Sequence, residues 1–222
     1  MAENFHTTAF ASDHSILVRF GDEVSPEVRE RVHRFCLRVG AVRPPEVLNI
    51  HPAYCSVLMD FDPRAIRAAS FEHLVDSLID ESASINIPPP AMHEIPVRYG
   101  GIDGPDLADV ASYHHSPEDE IVRRHTSIIY MVCFLGFSPG FPYLSGLPNE
   151  LATPRLDTPR IRIPAGSVAI GGNQTGVYPV ASAGGWRIIG RTEAKLFDAL
   201  NTPPTLLTMG DRVKFIPVDS RP

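Results

Sequence analysis

The stretch "PAGSVAIGGNQTGVYPVASAGGWRIIGRT", Pro164 to Thr192, carries seven glycines in 29 residues. A helix does not survive that density, because each interior glycine costs it about 1 kcal/mol relative to alanine. The Val, Ile, Tyr and Trp threaded between the glycines are strand formers, which excludes a flexible linker. "GGNQTG" is not a Walker-type phosphate loop either, since no Lys-Ser/Thr follows the glycines. The segment therefore reads as the wall of a compact β-structure. Its glycines permit sharp bends and the close approach of a ligand or a partner backbone. On this reading Asn173, Gln174 and Thr175 are exposed at one rim, and Trp186 is a core anchor.

The flanking sequence extends the pattern. From Ser127 onward, short runs ("SIIYMVCFL", "IRIPAG", "SVAIGG", "GVYPVAS", "WRIIGRT", "DRVKFIPV") alternate with Gly and Pro turns, the signature of an all-β barrel or sandwich. Helical character returns only at "EAKLFDALN", residues 193–201. Between Gly104 and Ser127 two short helices are predicted, the first capped by Asp106 and the second opening on Glu118, Asp119 and Glu120. This pair is either a brace for the β-domain or a helix-turn-helix. The second helix offers only Arg123, Arg124 and His125 against those three acids.

The first hundred residues have a different rhythm. "HSILVRFGD" is a strand, and Ser25-Pro26 opens a helix with Val28, Val32, Phe35 and Cys36 on one face. "EVLNIHPAY" and "CSVLMDFD" form a hairpin around Pro52, and Ser70 caps a second helix bearing Phe71, Leu74, Val75, Leu78 and Ile79. "HEIPVRYGG" follows as a strand. The order βαββαβ predicts a ferredoxin-like domain over residues 1–95. The β-domain, led by the helical pair, occupies 96–222, so the fold class is α+β.

Composition narrows the function. A net charge of −6 and a pI near 5.8 argue against an extended nucleic-acid or anionic-membrane surface. No apolar run is long enough to span a bilayer, and the N-terminus does not read as a signal peptide. Cys36, Cys55 and Cys133 are scattered in apolar surroundings, which reads as reduced thiols in a cytoplasmic protein. His14, His33, His73, His93, His114, His115 and His125 share no ligand spacing, so no metal site is expected.

Two segments carry candidate chemistry. "FLGFSPGFPYLSGLP" interleaves Phe137, Phe141 and Tyr143 with glycines and prolines, as a loop pinned by aromatic packing. In "TPRLDTPRIRIPAG" the prolines at 154, 159 and 164 stiffen an extended chain that holds Arg155, Arg160 and Arg162. A fixed guanidinium offers a planar fork to a carboxylate or phosphate. Asp157 is placed to orient Arg155 or Arg160. Arg160 and Gln174 together provide a cation and an amide suited to a polarised carbonyl, and they are the expected catalytic pair. Arg155, Asn173, Thr175 and Tyr143 are the expected substrate contacts.

These motifs, with the upstream "IPVRYGG" and "GPDLADVA", resemble the family called 5-oxoprolinase B subunit, allophanate hydrolase subunit 1 or KipI-type kinase inhibitor. The resemblance covers nearly the whole chain, with Ile102 where a Glu is expected and Ala183 in place of a Pro. It implies a C-terminal cyclophilin-like β-barrel. It also implies partners: a homologous barrel-bearing C subunit, with the A subunit of the same enzyme beside it. The implied activity is that of a non-autonomous enzyme component that opens 5-oxoproline to glutamate, ATP being used by the assembled complex. The alternatives are an allophanate- or urea-handling component of biotin-dependent carboxyltransferase type, and a protein that inhibits a histidine kinase by binding it.

Overall fold

The computed structural model describes residues 6–219. The chain divides into two compact units, Met1–Pro89 and Pro90–Pro222. The first contains β1 (Thr7–Ser12), β2 (Ser15–Arg19), α1 (Pro26–Val42), β3 (Val47–Pro52), β4 (Ser56–Phe61) and α2 (Ala68–Ser82). Its strands form one antiparallel sheet in the order β1-β2-β4-β3.

Local chemistry explains these elements. Ser25 Oγ accepts the Val28 N–H at 3.2 Å, and Pro26 takes the first helical position of α1. Val32, Phe35 and Val39 recur at helical spacing and are buried. α2 starts three residues earlier than expected, after Arg67, so Ser70 lies inside its first turn and caps nothing. Ile16 and Val18 face Met59 and Val57 across the β2–β4 pair, and all four are buried. Phe71 of α2 stacks on Phe61 of β4 with centroids 4.3 Å apart, and Phe35 of α1 meets Phe20 at 5.3 Å.

The second unit holds β5 (Met92–Tyr99), α3 (Leu107–Tyr113), α4 (Glu118–Thr126), β6 (Ile129–Leu135) and β7 (Pro142–Ser145). It continues with a 3-10 turn (Asn149–Leu151), β8 (Arg160–Ile163), β9 (Ser167–Gly171), β10 (Gln174–Val177), β11 (Ser182–Gly184), β12 (Arg187–Arg191) and β13 (Arg212–Pro217). Seven strands close a barrel in the order β10-β7-β6-β13-β5-β12-β9, while β8 and β11 form a separate two-stranded ribbon. The barrel is antiparallel except where its first and last strands, β5 and β13, run parallel.

The βαββαβ expectation needs correction here. Its last strand, "HEIPVRYGG", is β5, and β5 pairs with β12 and β13 of the barrel. Ile95 and Val97 are buried in the barrel core. The edge beside β2 is filled instead by β1, formed by "TTAFAS", a run exposed at five of its six positions that lacks the apolar alternation of a half-buried strand. The first unit is thus ββαββα, and position 95/96 falls inside β5.

α3 and α4 send Leu107, Val110 and Ile121 into the same core as the barrel strands. They are a brace. Glu120 binds both Arg123 and Arg124 at 2.6 Å, so the basic cluster that a helix-turn-helix would need is already engaged by an acid of its own helix. The "EAKLFDALN" helix is absent. Leu196 is buried in the barrel core, Phe197 bridges to Thr205, and the Asp198 N–H donates to Pro204, all of which require extended chain. Among the described residues no helix is long and apolar enough to cross a membrane.

A chain beginning at Pro90 is expected to melt cooperatively. One beginning at Pro96 loses four of the six β5–β13 register pairs and is expected to lack a cooperative transition. Thermal denaturation of both truncations followed by near-UV circular dichroism checks this.

Candidate functional site

The loop joining β6 to β7 turns within "GFSPGF". The Ser138 N–H donates back to the Gly136 carbonyl at 2.7 Å around Phe137, whose φ is 65°. A γ-turn of this hand is strained for a bulky residue. It leaves Phe137 61% exposed, with its edge toward Phe141 at 5.4 Å and Tyr178 at 6.1 Å. Strained aromatics held at the surface are a recurring mark of binding sites.

Behind Phe137 the rings form a wall. Phe141 contacts Tyr178 at 5.2 Å and Trp186 at 5.5 Å, both edge-on, and Trp186 reaches Tyr143 at 6.2 Å. Two glycines make this packing possible. A Cβ on Gly171 would lie 2.5 Å from the Trp186 ring, and one on Gly184 would lie 2.4 Å from the Tyr178 hydroxyl. Trp186 is therefore a core anchor, but one whose face also lines a cavity of about 180 Å³. Arg155, Leu156 and Pro159 close its other side. The Arg155 guanidinium lies 5.7 Å over the Trp186 ring.

Arg160, expected as the catalytic cation, has its guanidinium on an acid. It binds the buried Asp106 in bidentate fashion, at 2.8 and 2.6 Å. The Ile188 N–H donates to the same carboxylate at 2.7 Å. Hydrogen bonding to Asp106 raises the Arg160 pKa further, so its charge is permanent. Asp106 thus does not cap α3 through its side chain; it ties the β8 ribbon to barrel strand β12. Asp157 is not the orienting acid. Leu156 and Gly185 hold the cavity margin together with an N–H···O bond of 2.7 Å.

Asn173, Gln174 and Thr175 do not share a rim. Asn173 is exposed in the β9–β10 turn and Gln174 is half-buried at the start of β10. Thr175 is fully buried and points into the barrel. Its hydroxyl donates to the Ala169 carbonyl at 3.0 Å, so it accepts the Nε2–H of His125 at 2.9 Å. That assigns the tautomer, and His125 Nδ1 accepts the Tyr99 hydroxyl at 2.8 Å. Burial pushes the imidazole pKa down to about 3, which keeps it neutral.

The cavity thus brings together Arg155 and Tyr143 of the expected residues, and leaves out Arg160, Asn173, Gln174 and Thr175. Tyr178, Asp106 and His125 were missed as contributors. Tyr178 had a signal, an aromatic two residues beyond a glycine in a strand. Asp106 and His125 had none, because their partners lie 54 and 50 residues away in sequence.

Known proteins of this kind are recognisable. A family model described as carboxyltransferase domain, subdomain C and D, matches residues 6–207. The chain is 43% identical over 200 residues to the 5-oxoprolinase B subunit of Escherichia coli O157:H7, covering 88% of this chain and 90% of that one. It is 38% identical over 220 residues to the 5-oxoprolinase B subunit of Bacillus subtilis strain 168, covering 94% and 91%. The crystal structure of TTHA0988 superposes with a TM-score of 0.81 at 34% identity, over 93% of this chain and only 40% of that longer chain.

Arg160→Ala is expected to leave the buried Asp106 carboxylate short of its main partner and to destabilise the second unit by about 3 kcal/mol. Denaturant melts of the variant check this. His125 yields a pH dependence of the opposite sign to a salt-bridged histidine. The unfolded chain takes up a proton at the ordinary value of 6.5 while the folded chain resists to about 3. Stability is therefore whole above pH 6.5 and falls by about 1.4 kcal/mol per pH unit below it. His114, whose pKa burial also lowers, adds in the same direction. Melts from pH 7 to 5, with imidazole ¹⁵N shifts reporting a neutral His125 throughout, measure both effects.

Proposed function

The chain belongs to the family of carboxyltransferase-domain subdomains C and D, and from that membership we propose that it is the B subunit of an ATP-dependent 5-oxoprolinase. Its aromatic cavity is proposed as part of the substrate site. The observation that carries this reading is the pairing of flat apolar walls with one cation, Arg155. A volume of about 180 Å³ is below the range of drug-sized sites, ~300–1,000 Å³, and suits a small ring bearing a carboxylate. Arg155 and Tyr143 touch the cavity, while Arg160 acts one step back by holding Asp106.

The reaction breaks the lactam C–N bond and adds water across it, and a second water is consumed as ATP becomes ADP and phosphate. A stable amide needs its carbonyl activated before water attacks. Among the described residues the cavity lining holds no carboxylate or histidine to activate a water. Its proposed partners, the homologous barrel-bearing C subunit and the A subunit, would supply the phosphate chemistry. The three cysteines form no disulfide, which agrees with a cytoplasmic setting.

The purified chain is expected to show no 5-oxoproline-dependent ATP hydrolysis, and activity is expected once both partners have been added. Turnover assays with 5-oxoproline, urea and allophanate in parallel test the assignment. Robust turnover by the single chain, or by the complex on urea or allophanate alone, would refute it. Trp186→Ala removes both a core ring and a cavity wall. It is expected to cost roughly 3–5 kcal/mol in a denaturant melt and to abolish complex activity.

A further inference from the structure

Arg155 differs from its neighbours in what holds it. Arg160 and Arg187 face Asp106 and Asp109, whereas among the described residues no carboxylate pairs with Arg155. Its guanidinium carbon lies 5.7 Å over the Trp186 ring, a cation–π contact that commits none of its N–H donors to a carboxylate. Arg155 is also exposed, so its charge needs no internal partner to be tolerated.

Tyr178 supplies a second donor of another kind. Its ring is buried in the cavity wall, and burial raises the pKa of its hydroxyl, which stays protonated. A backbone hydrogen bond from Trp186 occupies the oxygen as acceptor. Among the described residues none accepts its proton. That oxygen packs directly against Gly184, where any Cβ would come within 2.4 Å of it.

We propose that these two groups form a two-point clamp, with Arg155 binding the carboxylate of the cyclic amide acid and Tyr178 donating to its ring carbonyl oxygen. The proposal rests on the 5-oxoprolinase reading above and names how that site selects its substrate. A guanidinium matches a carboxylate with two parallel hydrogen bonds. A neutral hydroxyl of raised pKa gains strength as negative charge grows on the amide oxygen, without surrendering its proton. The aromatic faces between them hold the flat ring. Arg155 therefore governs binding and Tyr178 governs turnover.

Steady-state kinetics of the assembled complex separate the two roles, with 2-pyrrolidone as a competitive inhibitor that has the lactam but no carboxylate. Arg155→Gln is expected to raise KM for 5-oxoproline about tenfold or more while the 2-pyrrolidone inhibition constant stays put. Arg155→Lys is expected to recover part of the loss. Tyr178→Phe keeps the ring, and is expected to lower kcat about a hundredfold. An unchanged KM in Arg155→Gln, an equal weakening of both ligands, or a wild-type kcat in Tyr178→Phe would overturn the clamp while the 5-oxoprolinase reading stands. A wild-type complex that does not turn over 5-oxoproline would overturn both.

Discussion

The Asp106 carboxylate organises the second unit. It is 3% exposed, and it receives three protein donors, two from Arg160 and one from the Ile188 backbone. A buried charge with fewer partners would favour unfolding, so the requirement to satisfy this one acid fixes where β8 lies against β12. The Asp106 N–H in turn donates to the Ile188 carbonyl at 2.9 Å, which docks the start of α3 on the same strand. One residue thus joins the helical brace, the barrel and the ribbon. Pro159 precedes Arg160, and Gly184 lies opposite it across the ribbon, so the cavity margin inherits its position from this clamp.

A second polar element sits inside the barrel and obeys the opposite rule. Tyr99, His125, Thr175 and Ala169 form a chain of hydrogen bonds running in one direction from hydroxyl to carbonyl. No charge is involved, because the imidazole is flanked by Phe215 at 4.8 Å and Tyr130 at 5.4 Å and is driven neutral by burial. Every donor and acceptor in the chain is matched, which is the condition under which buried polar groups are tolerated. It joins β5, α4, β10 and β9, elements that no single sequence segment contains.

The proposed division of labour follows from these constraints. The barrel commits its glycines to packing rings and its buried acid to holding the ribbon. Beside these committed groups lies an aromatic cavity with Arg155 among its lining residues. Such a surface orients a small anion well and does little bond chemistry on its own.

Periodicity alone determined much of this protein. The alternation of strands and glycines through 164–192, the helical faces of α1 and α2 and the existence of the short helices α3 and α4 are local properties, set by propensity and spacing. The aromatic loop at Phe137 and the stiffened arginine segment were legible for the same reason. Pairing was not legible. Whether β5 closes a ferredoxin-like sheet or a barrel depends on which strand meets its edge, and β1 and β13 decide that from opposite ends of the chain. "EAKLFDALN" has helical spacing, yet the burial of Leu196 in the barrel draws it out straight. Arg160 and Arg155 look alike in sequence, five residues apart between prolines. Only the fold puts a buried carboxylate against the first and an indole against the second, because electrostatic partners are chosen by proximity in space.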